Sequence, residues 1–254
     1  MINRRKLLLG SAAFALSGCK VFDSAGDGDS ALNTLFSSHE GLTKSAQRAL
    51  IGDRLAPEFS EADIRQGQRP NGSTDPDSAA YRQMAGTGFG DYRLSVTGLV
   101  DTPQTLSLAD LTALPSRTQI TRHDCVEGWS CIAKWQGVPL GTVLKLAQPK
   151  VTARYAVFHC FDAIERGLSG EVFYYESIDL IDAFHPQTIL AYAMNGAPLP
   201  VANGAPLRLR VERQLGYKMA KYVHTIELTE SLVDLGGGKG SYWADRGYEW
   251  YAGI

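Results

Sequence analysis

The sequence predicts a mixed α+β domain, and three features of its 254 residues support that prediction. Hydrophobic residues make up 44% of the chain, as in soluble globular proteins, and the length is sufficient for a core that needs no disulfide scaffold. Short strand-like segments outnumber helical ones. These segments do not alternate regularly with helices, as they would in a parallel α/β sheet.

Before the strands begin, the chain contains helical segments and a long loop. Residues 31–66 have helical spacing in short pieces, and Ser60 followed by Asp63 is typical of a helix start. Residues 67–79 are dense in Gly, Pro, Asn, Asp and Ser, which predicts a loop. A loop of this length is often functional.

Alternation of apolar and polar residues predicts the first strand, in which Leu94 and Val96 face the core. Ser107 is a helix N-cap candidate, and a second short amphipathic helix is expected at residues 139–146. Further strands are predicted at residues 118–124, 154–160, 207–211 and 222–228. The closing residues 236–254 are rich in Gly and aromatic side chains, which either pack back on the domain, form a rim over a site, or face a partner.

The N-terminus has the composition of an export signal. Arg4, Arg5 and Lys6 precede an apolar stretch that is too short to span a bilayer. The arginine pair is typical of twin-arginine signals, and Leu-Ser-Gly-Cys ending at Cys19 resembles a bacterial lipobox. We therefore expect a signal peptide over residues 1–18, lipidation of Cys19, a flexible tether over residues 19–30 and one domain over residues 31–254. The expected location is the periplasm, with the lipid as membrane anchor.

The charge balance argues against a nucleic-acid partner. The net charge is −2, and the sequence lacks the overall basic field that a phosphate backbone requires. One segment is locally basic: Arg208, Arg210, Arg213, Lys218 and Lys221 follow a turn that contains Gly204. It is either a solvated strand face or a site for an anionic phosphate.

Residues 122–130, RHDCVEGWS, are the segment richest in side chains that can ligate a metal or act in catalysis. Four interpretations of Cys125 compete: a buried small apolar residue, a nucleophilic thiol with His123 as its base, a zinc ligand, or a single thiolate on a soft metal held mainly by an organic cofactor. The zinc set would be His123, Cys125, Cys131 and Cys160, whose spacing matches no usual zinc pattern. Cys131 and Cys160 could also form a disulfide in an oxidising compartment.

The order of several motifs resembles the sulfite oxidase superfamily of molybdopterin-dependent oxidoreductases, and within it the periplasmic methionine sulfoxide reductase catalytic subunits. The resemblance spans roughly residues 90–230. It is carried by RHDCVEGWS at 122–130, WQGVPL at 135–140, FHP at 184–186, NGAPLR at 203–208 and GYKMAK at 216–221.

This resemblance implies a molybdenum-molybdopterin cofactor with Cys125 as thiolate ligand to molybdenum and as catalytic residue. The cofactor-binding residues that it implies are Asn203, Arg208, Met219, Ala220 and Lys221, with Asn71 and Gly72 from the long loop. Cys160 is also a cofactor-binding candidate, since it stands where the periplasmic methionine sulfoxide reductases have a threonine that contacts the cofactor.

The implied activity is two-electron oxygen-atom transfer on a small sulfur or nitrogen oxyanion or a sulfoxide. The chain has no Cys-x-x-Cys-His haem signature, so we expect electron exchange with a separate cytochrome or membrane haem protein. The alternative function is a non-catalytic binding or scaffold lipoprotein on the same fold.

Overall fold

A computed structural model describes residues 31–254 except residues 168 and 169, and it describes residues 31–40 by their backbone alone. The predicted signal peptide, lipobox and tether lie outside these residues. The described chain falls into two compact units, with the division between Gly52 and Asp53. None of the described helices is long and apolar enough to cross a membrane.

The first unit contains helix α1 (Ala31–Ile51), a continuous helix of 21 residues. The predicted short helical pieces are therefore wrong for this segment. Gly41 is the one glycine inside it, and a single glycine costs too little to break a helix.

The second unit contains all remaining elements. Its helices are α2 (Ala79–Gly86), α3 (Leu108–Ala113), α4 (Leu140–Ala147) and α5 (Leu180–Ala183). Its strands are β1 (Arg93–Gly98), β2 (Gln104–Ser107), β3 (Arg117–Asp124), β4 (Ser130–Pro139), β5 (Tyr155–Gly167), β6 (Gly170–Asp179), β7 (Ile189–Met194), β8 (Ala197–Pro198), β9 (Arg208–Arg210) and β10 (Val223–Thr229). Short 3₁₀ helices lie at Glu61–Asp63, Val201–Asn203, Gly216–Lys218 and Ala244–Arg246. The predicted mixed α+β class is confirmed.

The strands form two sheets. The first has the order β2-β1-β10-β5-β6, in which β1 pairs with β10 in parallel and all other pairs are antiparallel. The second has the order β3-β4-β7-β8, and β9 also pairs with β7. The predicted alternation in β1 is confirmed, since Leu94 and Val96 are fully buried.

Two apolar clusters hold the second unit together. The larger cluster joins the first sheet to α3 and α4, and the smaller one surrounds Trp135 of β4. The predicted cap at Ser107 is confirmed: its hydroxyl accepts a hydrogen bond from the Asp110 amide at 3.1 Å, and the Asp110 carboxylate accepts one from the Ser107 amide. The two sheets place the β3–β4 loop, the end of β5 and the segment before β10 around one cleft.

Candidate functional site

Five segments of the second unit line a cleft of about 150 Å³. The β3–β4 loop contributes Cys125, Val126 and Glu127, and the predicted loop contributes Asn71, Gly72 and Ser73. The other walls come from Asp162, Ile164 and Tyr174 of the β5–β6 pair, from Tyr217, Met219 and Lys221, and from Trp243 and Tyr248 near the C-terminus.

Cys125 lies at the start of a tight five-residue loop between β3 and β4. Its amide donates to the Trp129 carbonyl at 2.9 Å, and its carbonyl accepts from the Gly128 amide at 3.0 Å. Gly128 has φ +84, a conformation that favours glycine. The loop is thereby fixed, and the half-buried thiol of Cys125 faces the cleft.

The structure separates the four interpretations of Cys125. Because Cys125 lines a cleft, it is not an inert core thiol. Burial raises the pKa of its thiol, and Nδ1 of the proposed base His123 already accepts from Arg210 Nη1 at 3.0 Å. Both features disfavour an activated Cys–His pair. Among the described residues, no group of three or more His, Cys, Asp or Glu side chains is arranged to hold a metal ion, which disfavours the zinc interpretation.

The predicted functional loop is tied to the cleft through Ser73. The Ser73 hydroxyl donates to the Asp162 carboxylate at 2.6 Å, and the Ser73 carbonyl accepts from Tyr222 and from the Lys221 ammonium. Nearby, the Asn71 side-chain amide donates to the Gly216 carbonyl at 3.4 Å. The loop therefore forms one wall of the site.

Three of the five cations in the basic segment are paired with buried carboxylates. Arg210 Nη2 lies 2.6 Å from Glu212, with both side chains fully buried. The Lys218 ammonium lies 2.5 Å from the Glu176 carboxylate. Arg213 Nη2 lies 2.7 Å from Asp182. These pairs neutralise their own charges and leave little free positive charge for a ligand.

Arg208 and Lys221 differ, because no carboxylate of the described residues lies within ion-pair distance of either one. Arg208 is buried and uses Nη1 to donate to the Asn203 carbonyl at 2.8 Å, while its Nε and Nη2 have no hydrogen-bond partner among the described residues. The Asn203 amide nitrogen is also without one there. Lys221 donates to the carbonyls of Ala202 and Ser73.

The surroundings of these two cations disfavour positive charge. Burial, and then the neighbouring Arg208, lower the pKa of Lys221 to about 7. Burial and Arg210 lower the pKa of Arg208 to about 9. A buried cation without an ion pair is costly unless a ligand completes it, and Arg208 also has unused donors, so the arrangement suits an anionic group.

Gly204 allows the two cations to approach each other. Its φ is +113, and a Cβ at this position would lie 3.0 Å from the Lys221 side chain and 3.1 Å from Arg208 Cβ. A larger residue would be strained there and would push the two side chains away. The predicted turn before Arg208 is therefore also a packing requirement of the site.

The sequence-predicted residues divide into three groups. Asn71, Gly72, Cys125, Met219 and Lys221 line the cleft. Asn203 and Arg208 are buried next to Lys221 and outside the cleft wall, and Ala220 and Cys160 belong to the larger apolar cluster. Cys131 and Cys160 form no disulfide, since every described cysteine is a free thiol.

Sequence reasoning missed several residues of the cleft. Asp162 is buried and uses one carboxylate oxygen to accept from Ser73, while the other oxygen has no partner among the described residues. Burial raises the pKa of this carboxyl. Tyr174 comes from β6, which the sequence did not predict. The one signal in the sequence that could have indicated Asp162 was its position two residues after the candidate Cys160.

Comparison with known proteins places these features in context. Residues 83–234 match the oxidoreductase molybdopterin binding domain. The chain is 35% identical over 253 residues to a protein of Azospira oryzae that bears the provisional name protein-methionine-sulfoxide reductase subunit YedZ1, covering 98% of this chain and 86% of that protein. It is 36% identical over 168 residues to the protein-methionine-sulfoxide reductase catalytic subunit MsrP of Xanthomonas campestris, covering 63% of this chain and 51% of the relative.

The chain therefore spans about half the length of the MsrP relatives that it matches. Among solved structures, the sulfane dehydrogenase SoxCD of Paracoccus pantotrophus has a TM-score of 0.50 and 23% identity, over 56% of this chain and 39% of that chain. At that identity the likeness concerns the fold alone.

Proposed function

Because the chain belongs to the molybdopterin-binding oxidoreductase family of the sulfite oxidase superfamily, and is thus an oxidoreductase, we propose that it carries a molybdenum-molybdopterin cofactor and transfers an oxygen atom to or from a small substrate. The substrate class that we favour is a sulfoxide, reduced to a thioether. Balance requires two electrons and two protons for each sulfoxide, with water as the other product.

One observation carries the proposal: Arg208 and Lys221 meet at Gly204, Arg208 and Asn203 have unused donors, and Lys221 lines the same cleft as Cys125. A pterin with a phosphate tail is an anion that needs buried cations and amide donors at one end. Its metal needs a soft thiolate at the other end, which Cys125 offers. The residues present therefore fit the cofactor.

The roles of this chain's residues follow from their chemistry. Arg208 and Lys221 would bind the anionic tail, and the Asn203 amide would donate to the same group. Cys125 would ligate the metal as a thiolate, held by the hydrogen bonds that fix its loop. When bound, the cofactor supplies two-electron redox chemistry at molybdenum, while the protein supplies position and electrostatics.

Two features around Cys125 shape access to it. The Glu127 carboxylate accepts from the Trp129 indole N–H at 2.9 Å and lies 3.5 Å from Arg69 Nη2. Glu127 lines the cleft with Cys125, and its hydrogen bond to Trp129 links residues within the same loop. In the proposed holoenzyme they would orient the loop and help to exclude water from its ligating sulfur.

The reductive direction and the electron source rest on the relatives. Their names are those of methionine sulfoxide reductase subunits, which supports reduction of a sulfoxide. We extend this to a separate haem protein as electron donor. An exported enzyme anchored in the membrane through Cys19 agrees with the twin-arginine and lipobox patterns of the N-terminus.

A non-catalytic scaffold on the same fold is not favoured. A scaffold alone needs no open cleft with a thiol on its wall, and against a binding module the relatives bear the names of reductase subunits. A scaffold also has no need for buried cations with unused donors, since apolar residues would stabilise the fold better.

The test is an acceptor panel on metal-verified holoenzyme with reduced viologen as donor. We expect turnover of sulfoxides by the parent enzyme and its loss in Cys125→Ser. Val151→Ala is the control, because Val151 is exposed and does not line the cleft. This variant should keep the turnover of the parent enzyme. Protein that contains molybdenum but oxidises viologen with no acceptor of the panel would contradict the proposal.

A further inference from the structure

One wall of the cleft is aromatic, and two of its three rings come from the C-terminal segment. Trp243 and Tyr248 both line the cleft, and their ring centroids lie 5.1 Å apart. Tyr248 also meets Tyr217 edge to face at 5.3 Å, and the Tyr217 hydroxyl donates to the Glu249 carbonyl at 2.7 Å. Three rings thus form one continuous apolar surface.

This wall is held in place by Asp245 and Arg246, which lie between Trp243 and Tyr248 in the sequence. Asp245 accepts from the amides of Gly237 at 2.7 Å and Lys239 at 3.0 Å. Arg246 pairs with Glu165 at 2.7 Å and lies 3.6 Å from the centre of the Tyr242 ring. The rings are therefore presented in a fixed position, which lowers the entropic cost of binding against them.

Two of the three rings of this wall, Trp243 and Tyr248, are separated in sequence from the cofactor residues. The matched molybdopterin domain ends at residue 234, so Trp243 and Tyr248 lie beyond it, whereas Cys125, Arg208 and Lys221 lie within it. The domain thus provides the thiol and the cations suited to the cofactor together with Tyr217, and the segment beyond it adds the rings of Trp243 and Tyr248. We take the added surface to serve the substrate.

The charges of the cleft favour a neutral substrate. Among the described residues that line it, Lys221 is the one cation, and the proposed function assigns Lys221 to the cofactor. Asp162 and Glu127 add two carboxyl groups to the walls. An inorganic oxyanion would find no remaining cation there, whereas the carbon groups of a neutral sulfoxide can pack on the rings, as thioether sulfur also does.

We propose that Trp243 and Tyr248 are specificity-determining residues that bind the carbon groups on either side of the sulfur in a neutral organic sulfoxide. This inference rests on the proposed function and adds the part of the chain that selects the substrate. The preference for larger apolar sulfoxides over small ones then comes from the C-terminal segment. The cofactor residues contribute equally to the reduction of large and small sulfoxides.

The test compares two neutral sulfoxides, methyl p-tolyl sulfoxide and dimethyl sulfoxide, with the metal-verified holoenzyme and reduced viologen. In Tyr248→Ala, we expect kcat/KM to fall about tenfold or more for the larger substrate and about threefold or less for the smaller one. The loss should appear mainly in KM. Tyr248→Phe keeps the ring and should restore the parent preference.

Phe173→Ala is the matched control. Phe173 is 43% exposed and Tyr248 39%, so both substitutions remove a similarly exposed ring. Phe173 precedes Tyr174 on β6, and neighbouring side chains on a strand point to opposite faces, so Phe173 points away from the cleft that Tyr174 lines. We expect no change in the preference. Trp243→Phe is the second cleft variant, and it keeps an aromatic ring in the partly buried position.

The outcomes are distinguishable. A parent enzyme that contains molybdenum and reduces neither sulfoxide would overturn the proposed function, and this inference with it. A parent enzyme that reduces both, together with a Tyr248→Ala variant that keeps the parent ratio of kcat/KM values, would overturn the inference alone. Calorimetry on the oxidised holoenzymes gives a dissociation constant for methyl p-tolyl sulfoxide. In Tyr248→Ala this constant should rise above that of the parent by about the same factor as KM.

Discussion

The basic segment contains two kinds of buried cation, and their difference shows where the molecule holds a ligand. Arg210, Lys218 and Arg213 each have a carboxylate within 2.7 Å. Arg208 and Lys221 have none among the described residues, although both are buried. Burying a charge without a partner is costly, so the fold tolerates it only where something else completes the charge.

The comparison also shows that local basic composition is a poor guide to a binding site. Five cations in 14 residues, 208–221, suggest one positive patch. Three of them serve the fold by neutralising carboxylates that would otherwise be buried alone. The remaining two lie on either side of Gly204, and the missing partner distinguishes them.

The largest expected effect comes from breaking a paired cation. The Glu212 carboxylate accepts from Arg210 at 2.6 Å and from the Gln119 amide at 2.8 Å. Glu212→Gln removes the charge and leaves Arg210 buried and uncompensated. We expect the free energy of unfolding to fall by about 3–5 kcal/mol, measured by urea denaturation of cofactor-free protein. A loss below about 1 kcal/mol would show that the pair is not needed for stability.

The reverse experiment removes an unpaired cation. Arg208→Met removes an uncompensated buried charge, so the unfolding free energy of cofactor-free protein should stay within about 1 kcal/mol of the parent or rise. Its pterin content after expression should fall at least tenfold, as measured by fluorescence of the oxidised pterin.

Arg210→Met is the matched variant, because Arg210 lies two residues away and its guanidinium lies 4.3 Å from the centre of the same Trp135 ring that Arg208 contacts at 4.9 Å. It should lose stability and keep pterin in the protein that folds. If both variants lost pterin equally, the distinction between the two kinds of cation would fail.

The smallest expected effect is a pH dependence due to Lys221. Because its pKa falls to about 7 in the folded chain from 10.5, the unfolded state binds the extra proton between these values. The unfolding free energy of cofactor-free protein should therefore rise with pH above 7, by at most about 1.4 kcal/mol per pH unit.

Thermal unfolding between pH 7 and 8 measures this slope below the ordinary thiol pKa of about 8.5. The control is Lys221→Met, which should flatten the profile, since methionine carries no proton to lose. A slope that is equal in both proteins would assign the pH dependence to other groups and would contradict the low pKa.

The sequence predicted the elements in which one face is buried. β1 alternates cleanly and α3 has its serine cap, so both could be found from local pattern. β7 was missed, because Ile189, Leu190 and Ala191 are all fully buried and leave no alternation. α1 was predicted as separate pieces, because its apolar positions are unevenly spaced along the segment.

The site was predictable where its residues are close in sequence. Cys125 and Lys221 lie within the two densest motifs, and both line the cleft. The pairings that neutralise the other cations were not predictable, because Lys218 meets Glu176 across 42 residues and the sheets create that contact. The aromatic C-terminus was assigned three possible roles from the sequence, and its place on the cleft wall required the fold.

The most direct test of the central claim is the molybdenum and pterin content per chain of the double variant Arg208→Met/Lys221→Met beside that of the parent. Both proteins are expressed with cofactor supply, and circular dichroism verifies that each is folded. We predict about one molybdenum and one pterin per parent chain, and less than about a tenth of each in the folded double variant. A folded double variant that retains the parent content would contradict the claim that these two uncompensated cations hold the cofactor.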